Sequence, residues 1–138
     1  MKALITGSTG MIGGHFVRML RDKGWDVHGL ARPSAASRMY ESWDYPVHRV
    51  DLLDREATAR TIGRIQPDWV IHMAAQAFNG TSWEMESYTH MVNFNSTLNV
   101  LWSVRQSVPG AGVLLACSSA EYGCVDPLEC PLKEDRPL

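Results

Sequence analysis

The run Lys2-Ala3-Leu4-Ile5-Thr6-Gly7-Ser8-Thr9-Gly10-Met11-Ile12-Gly13 decides how this chain is read. Its first residues form an apolar stretch of strand length, and the spacing predicts a helix opening near Met11. Three glycines lie between. Gly7 lets the chain turn sharply off the strand, and Gly10, with no Cβ, lets phosphates approach the backbone. Gly13 lets the helix lie close on the strand. The first N–H groups of such a helix have no intrahelical partner and sit at the positive end of its dipole, so an anion fits there. Strand, glycine turn and helix in that order form the arrangement that binds a dinucleotide pyrophosphate. Gly7, Ser8, Thr9, Gly10, Met11, Ile12 and Gly13 are therefore the candidate cofactor loop. A plain strand-to-helix turn is the alternative.

The pattern repeats downstream. Ile12, Phe16, Val17, Met19 and Leu20 make an apolar helical stripe, and Gly24 is a plausible terminator. Residues 25–31 read as a second strand and 47–52 as a third. Asp54 can cap a helix whose buried face is Ala57, Thr61, Ile62 and Ile65. Pro67 ends it, and residues 68–73 form a nearly apolar fourth strand running into Ala74-Ala75-Gln76. Residues 78–83 read as a loop with Asn79-Gly80 turn chemistry. One long helix is expected over 84–106, with Tyr88, Val92, Leu98, Val100, Leu101 and Val104 inward. Asn93, Asn95 and Asn99 are poor helix formers there, and a tertiary reason is expected for one or more of them. Residues 113–117 read as a fifth strand ending in Ser118-Ser119, and 120–138 as loop.

Strands alternating with helices argue an α/β fold with a doubly wound parallel sheet, a Rossmann fold. Ligands in such sheets lie beyond the carboxyl ends of the strands. The glycine loop, Arg32, Asp51, Ala74 to Gln76 and Ser118-Ser119 all fall at that rim. After the second strand an acid would hold the adenosine ribose hydroxyls, whereas an arginine would accept a 2′-phosphate. Arg32 stands there, with Ser34, Ser37 and Arg38 nearby, which favours NADP over NAD. A solvated loop arginine is the alternative reading.

The 138 residues suit one domain able to bury roughly two-thirds of its unfolded surface. Hydrophobic residues make up 45 % and charged residues 20 %, which marks a globular chain. A net charge of −2 offers no basic face for nucleic acid. No apolar run reaches membrane-spanning length, and the N-terminus begins a strand rather than a signal peptide. Cys117, Cys124 and Cys130 have no paired metal spacing, and neither do the five histidines, so no metal site is expected. Free thiols point to a reducing cytoplasm. His72, in a buried strand, reads as a satisfied core histidine rather than a ligand.

The glycine loop, Asp51-Leu52, His72-Met-Ala-Ala-Gln76, Asn93 with Ser96-Thr97-Leu98, and Ser118-Ser-Ala-Glu-Tyr-Gly123 occur in an order that resembles the extended short-chain dehydrogenase/reductases. These are the nucleotide-sugar epimerases, dehydratases and reductases. Within that family the chain looks most like the GDP-4-keto-6-deoxy-mannose reductases, with the GDP-mannose 4,6-dehydratases the nearest competitor. The resemblance implies NADP as cofactor and a GDP-hexose as substrate. It also implies a homodimer through the long helix. It assigns Asp51 and Leu52 to the adenine, Met73, Ala74, Ala75, Gln76, Tyr88 and Cys117 to the cofactor, and Asn93 to support of the site. Ser119 would orient the sugar carbonyl. Glu121 corresponds to a dehydratase glutamate that removes a ring proton, with one residue fewer before Tyr122; a solvated carboxylate is the alternative. The family's Tyr-x-x-x-Lys pair is absent: Tyr40, Tyr45, Tyr88 and Tyr122 are followed four residues on by Asp44, Arg49, Val92 and Asp126. In the family that pair, a sixth strand and the sugar-binding part come after the position of Leu138. The chain is thus expected to be an incomplete NADP-binding domain, inactive alone. The expected reaction is reduction of a 4-keto sugar. The alternatives are dehydration of GDP-mannose and non-catalytic NADP binding.

Overall fold

The computed structural model describes residues 1–33 and 44–137. Ser34, Ser37, Arg38 and Tyr40 lie outside the described residues. Five strands form one sheet: β1 (Lys2–Thr6), β2 (Asp26–Ala31), β3 (Val47–Arg49), β4 (Trp69–His72) and β5 (Gly112–Leu115). All pairings are parallel and the order is β3-β2-β1-β4-β5. The order reverses between β1 and β4, the switch point where a crevice opens above the strand ends.

Alternation along β1 sorts the core onto two faces. Leu4 points to one side, with Leu30, Val70 and the helices α2 (Arg55–Ile65) and α5 (Ser96–Ser107) supplying Ile62, Ile65, Val100 and Val104. Ala3 and Ile5 point to the other, against Val17 and Leu20 of α1 (Met11–Asp22), with Val27, Tyr45 and Ile71. Ala3, Leu4 and Ile5 are completely buried. At about 25 cal/mol per Å² of apolar surface removed from water, such side chains are the main source of stability.

Several elements end where expected. Asp54 caps α2, its Oδ1 accepting from the Ala57 N–H at 2.9 Å. Gly24, at φ +76°, takes the chain out of α1, its N–H donating to the Arg21 carbonyl. The strands are shorter than their apolar runs: β3 stops at Arg49 and β5 at Leu115, where the ladder partners end.

Three expectations need correction. The stripe on α1 is narrower than drawn: Gly13, Val17 and Leu20 are buried, while Ile12 and Met19 are exposed at its edges. Residues 79–84 are not loop but α3 (Asn79–Glu84), opened by Phe78, whose carbonyl accepts from both the N–H and the hydroxyl of Ser82. The single long helix is instead α4 (Glu86–His90), a π-helical segment (Met91–Asn95) and α5. Met85, at φ −131° and ψ 52°, breaks α3 from α4. Within α5, Val100 and Val104 are buried, and at about 100° per residue Leu98 stands on the opposite side from Val100; Leu98 and Leu101 are exposed, while Ser96 and Ser103 are buried. Their hydroxyls donate to the carbonyls of Val92 and Asn99, four residues back. After β5 the chain makes two 3-10 turns, Ser119–Tyr122 and Pro127–Glu129.

Candidate active site

Gly7 leaves β1 at φ +65°, its N–H donating to the Leu30 carbonyl at 3.0 Å. A Cβ at Gly7 would meet the Ala74 nitrogen at 2.9 Å, so the loop after β1 and the loop after β4 touch backbone to backbone. A Cβ at Gly13 would come within 2.2 Å of the Gly7 carbonyl oxygen. Gly13 thus brings the helix close to the turn itself, more than to the strand. The space at Gly10 stays open apart from the Gly7 carbonyl at 3.2 Å.

The start of α1 fits an anion. Gly10 is its N-cap with no side-chain capping bond, and the first turn carries no acid. The first intrahelical bond runs from the Gly14 N–H to the Gly10 carbonyl at 2.9 Å. The N–H groups of Met11, Ile12 and Gly13 precede it and retain their donors. The Met11 and Ile12 side chains stand exposed beside this opening. Thr9 is half-buried, but the Ser8 side chain turns inward: it is fully buried, and its hydroxyl sits where a Gly29 Cβ would be. Only the backbone of Ser8 faces the loop.

Arg32 leaves the end of β2 exposed, and its Nη1 donates to the Tyr88 hydroxyl at 2.7 Å. Two side chains 56 residues apart, each assigned to the cofactor independently, meet at the rim. Asp51 is exposed and its carboxylate accepts from the Leu53 N–H at 3.0 Å, a local turn bond. The Leu52 side chain packs in the core with Leu4 and Ile62, and its carbonyl accepts from the Asn99 amide at 2.9 Å.

Met73 and Ala74 are half-buried, Ala75 is exposed, and Gln76 is clasped by Asn93. The Gln76 N–H donates to Asn93 Oδ1 at 2.7 Å, and Asn93 Nδ2 donates to the Gln76 carbonyl at 3.0 Å. Asn93 and Asn99 thus have their tertiary reasons: each ties a rim loop to the helix behind it. Below them lies His72, buried and hydrogen-bonded as a core histidine, with two threonine partners that sequence reasoning missed. Thr6 Oγ1 lies 2.7 Å from His72 Nδ1, and His72 Nε2 lies 3.0 Å from Thr97 Oγ1. Burial pulls the His72 pKa from its ordinary 6.5 to about 4, so the ring is neutral at physiological pH. A threonine ending the first strand and a histidine ending the fourth were the available signal.

Cys117, Ser118, Ser119 and Glu121 follow β5 and are all exposed. Ser118 Oγ accepts from the Ala120 N–H at 3.2 Å and so starts the 3-10 turn that presents Ser119 and Glu121. Among the described residues no three His, Cys, Asp or Glu side chains converge as metal ligands, and no helix is long and apolar enough to cross a membrane. Cys117, Cys124 and Cys130 are free and exposed.

The 3-2-1-4-5 parallel order, helices on both faces and a glycine turn at the switch point define a Rossmann-type domain. Residues 3–138 match the NAD dependent epimerase/dehydratase family, and the chain belongs to it. It is 34 % identical over 150 residues to a GDP-mannose 4,6-dehydratase of Yersinia enterocolitica, covering 99 % of this chain and 40 % of that protein. It is 33 % identical over 152 residues to GDP-mannose 4,6 dehydratase 2 of Arabidopsis thaliana, with the same coverage. The UDP-glucose 4-epimerase of Thermus thermophilus, solved in complex with NAD, superposes with a TM-score of 0.71 at 36 % identity over 78 % of this chain and 34 % of that one. The chain spans about 40 % of the length of the curated relatives it matches.

Proposed function

We propose that this chain is the NADP-binding portion of an enzyme that transfers a hydride at C4 of a GDP-linked hexose. The observation that carries the reading is the rim itself. The start of α1 has no side-chain cap and no acid in its first turn, Gly10 leaves the approach to it open, and the Arg32–Tyr88 pair stands at the end of the neighbouring strand. Gly7 to Gly13 would hold the pyrophosphate, and Arg32 the 2′-phosphate. Asp51 would take the adenosine end, and the 73–76 backbone would bound the crevice at the switch point. A nicotinamide dinucleotide supplies or accepts the hydride. Ser119 would hydrogen-bond the oxygen at C4 of the sugar, and the proton would come from a group outside this chain.

Two overall reactions share that step. Reduction of a 4-keto-6-deoxy sugar needs no further base, in keeping with Glu121 lying directly before Tyr122. Dehydration of GDP-mannose needs a carboxylate such as Glu121, and the similarity to GDP-mannose 4,6-dehydratases supports it. A longer protein carrying this chain, incubated with GDP-mannose and no added reductant, separates the two: loss of water favours dehydration over reduction. The same reading includes a reducing cytoplasm and a homodimer. Support for the dimer is apolar: Met91 and Phe94 of the π-helical segment and Leu98 and Leu101 of α5 are exposed, and Met91 and Leu98 line a groove of about 520 Å³ with Leu53, Arg55 and Trp102.

Cofactor choice is tested by Arg32→Ala. A guanidinium–phosphate contact is worth about 1.5–3 kcal/mol, roughly tenfold to 150-fold in affinity. Calorimetry is expected to show that loss for NADPH and little change for NADH. Equal losses for the two would reject the assignment.

A further inference from the structure

His72 lies beneath the crevice, and its hydrogen bonds fix one proton arrangement. The N–H groups of Met73 and Ala74 lie 3.2 and 3.1 Å from Thr6 Oγ1, and both donate to it. The one proton of that hydroxyl is left for its third neighbour, His72 Nδ1. Nδ1 is therefore an acceptor and the ring proton sits on Nε2, where it faces Thr97 Oγ1. Thr97 passes its own proton to the Asn93 carbonyl at 2.7 Å, and the Asn93 side chain holds both backbone groups of Gln76. The bonds run in one direction from β1 through β4 to the π-helical segment. They grip residues 73–76 at both ends.

A cation at His72 would break this arrangement. A proton on Nδ1 would face the Thr6 hydroxyl proton, and Thr6 would have to turn and release its hold on Met73 and Ala74. The groups around the ring are Thr6 on β1, Thr97 on α5 and the ladder neighbour Leu115 on β5. Burial lowers its basicity.

We propose that His72 is a positioning residue: as a neutral Nε2–H imidazole it holds segment 73–76 between the glycine loop and the π-helical segment, so that the dinucleotide crevice is preformed. This rests on the dinucleotide reading given above. Packing alone would not need it, since a hydrophobic side chain would fill the space without linking four segments.

The test uses Thr97→Val and Thr97→Ser, which leave the His72 ring in place. Long-range proton–nitrogen NMR of the wild-type chain should show the His72 ring as neutral Nε2–H from pH 7 to pH 5. Titration with NADPH should show Thr97→Val weaker by roughly tenfold, the scale of one buried hydrogen bond, and Thr97→Ser restored. An Nδ1–H tautomer or a cation at pH 6 would overturn the proposal, as would Thr97→Val binding like wild type. Absence of any dinucleotide binding by the wild-type chain would instead overturn the dinucleotide reading on which the proposal rests.

Discussion

On β1 the residues Ala3, Leu4 and Ile5 are wholly buried, whereas on β5 Leu114 and Leu115 keep 42 % and 36 % of their surface exposed. The contrast continues past the strands. The loop after β1 is fixed by backbone contacts to Ala74, Leu30 and the start of α1. The segment after β5 holds Cys117, Ser118, Ser119 and Glu121 in the open, and its start is held by the Ala116 N–H donating to the His72 carbonyl at 3.1 Å. One flank of the crevice is therefore built into the core, while the flank proposed for the chemistry has little of this chain behind it. The two flanks are supported unequally within the chain, and substitutions on them should differ accordingly.

The largest effect is expected at Gly13. A Cβ 2.2 Å from the Gly7 carbonyl oxygen cannot be absorbed by a side-chain shift, since both groups are backbone. Gly13→Ala should abolish dinucleotide binding and lower the melting temperature clearly, whereas Ser119→Ala should leave both unchanged. Titration and thermal melts of the pair check this, and similar behaviour of the two variants would break the comparison.

Next come the strands themselves. Leu4→Ala should cost about 2–5 kcal/mol in urea unfolding, the range for a fully buried leucine, and Leu114→Ala less than about 1 kcal/mol. A comparable cost at Leu114 would mean that β5 is covered in solution, and the contrast drawn above would shrink.

The third effect concerns pH. His72 has a folded-state pKa of about 4, below its unfolded 6.5, so the unfolded chain binds more protons between those values. Stability is therefore full above pH 6.5 and falls as pH drops toward 4. The limit is about 3 kcal/mol, from the cost of roughly 1.4 kcal/mol per pKa unit. His48, held low mainly by burial and next by His28, adds a loss of the same sign. Unfolding free energies at pH 7 and pH 4.5 measure the slope, which His72→Gln should flatten. An unchanged slope in that variant would place the acid sensitivity elsewhere.

The parts legible in the sequence are those set by local chemistry. The glycine loop, the five strands, the Asp54 cap and the Gly24 exit follow from glycine freedom, capping and apolar runs, and the structure has each of them. Arg32 and Tyr88 are each legible alone, but their contact depends on how β2 and α4 pack. Leu98 and Leu101 read as inward only if the buried stripe is drawn too wide: with Val100 and Val104 buried, helical spacing puts Leu98 on the far side of α5 and Leu101 at the edge of the stripe. The bond from the Asn99 amide to the Leu52 carbonyl joins residues 47 apart and cannot be read locally. The role of the Thr6–His72–Thr97 connection is not legible in sequence, even though its strand-end threonine and histidine are. Its meaning lies in the direction of each proton, which requires knowing every neighbour at once.

Whether the rim holds a dinucleotide carrying a 2′-phosphate is decided most directly by calorimetric titration of the wild-type chain with NADPH and with NADH. The expected result is saturable binding of NADPH at least roughly tenfold tighter than NADH, the low end of one guanidinium–phosphate contact. Equal affinity for the two, or no binding of either, would contradict it.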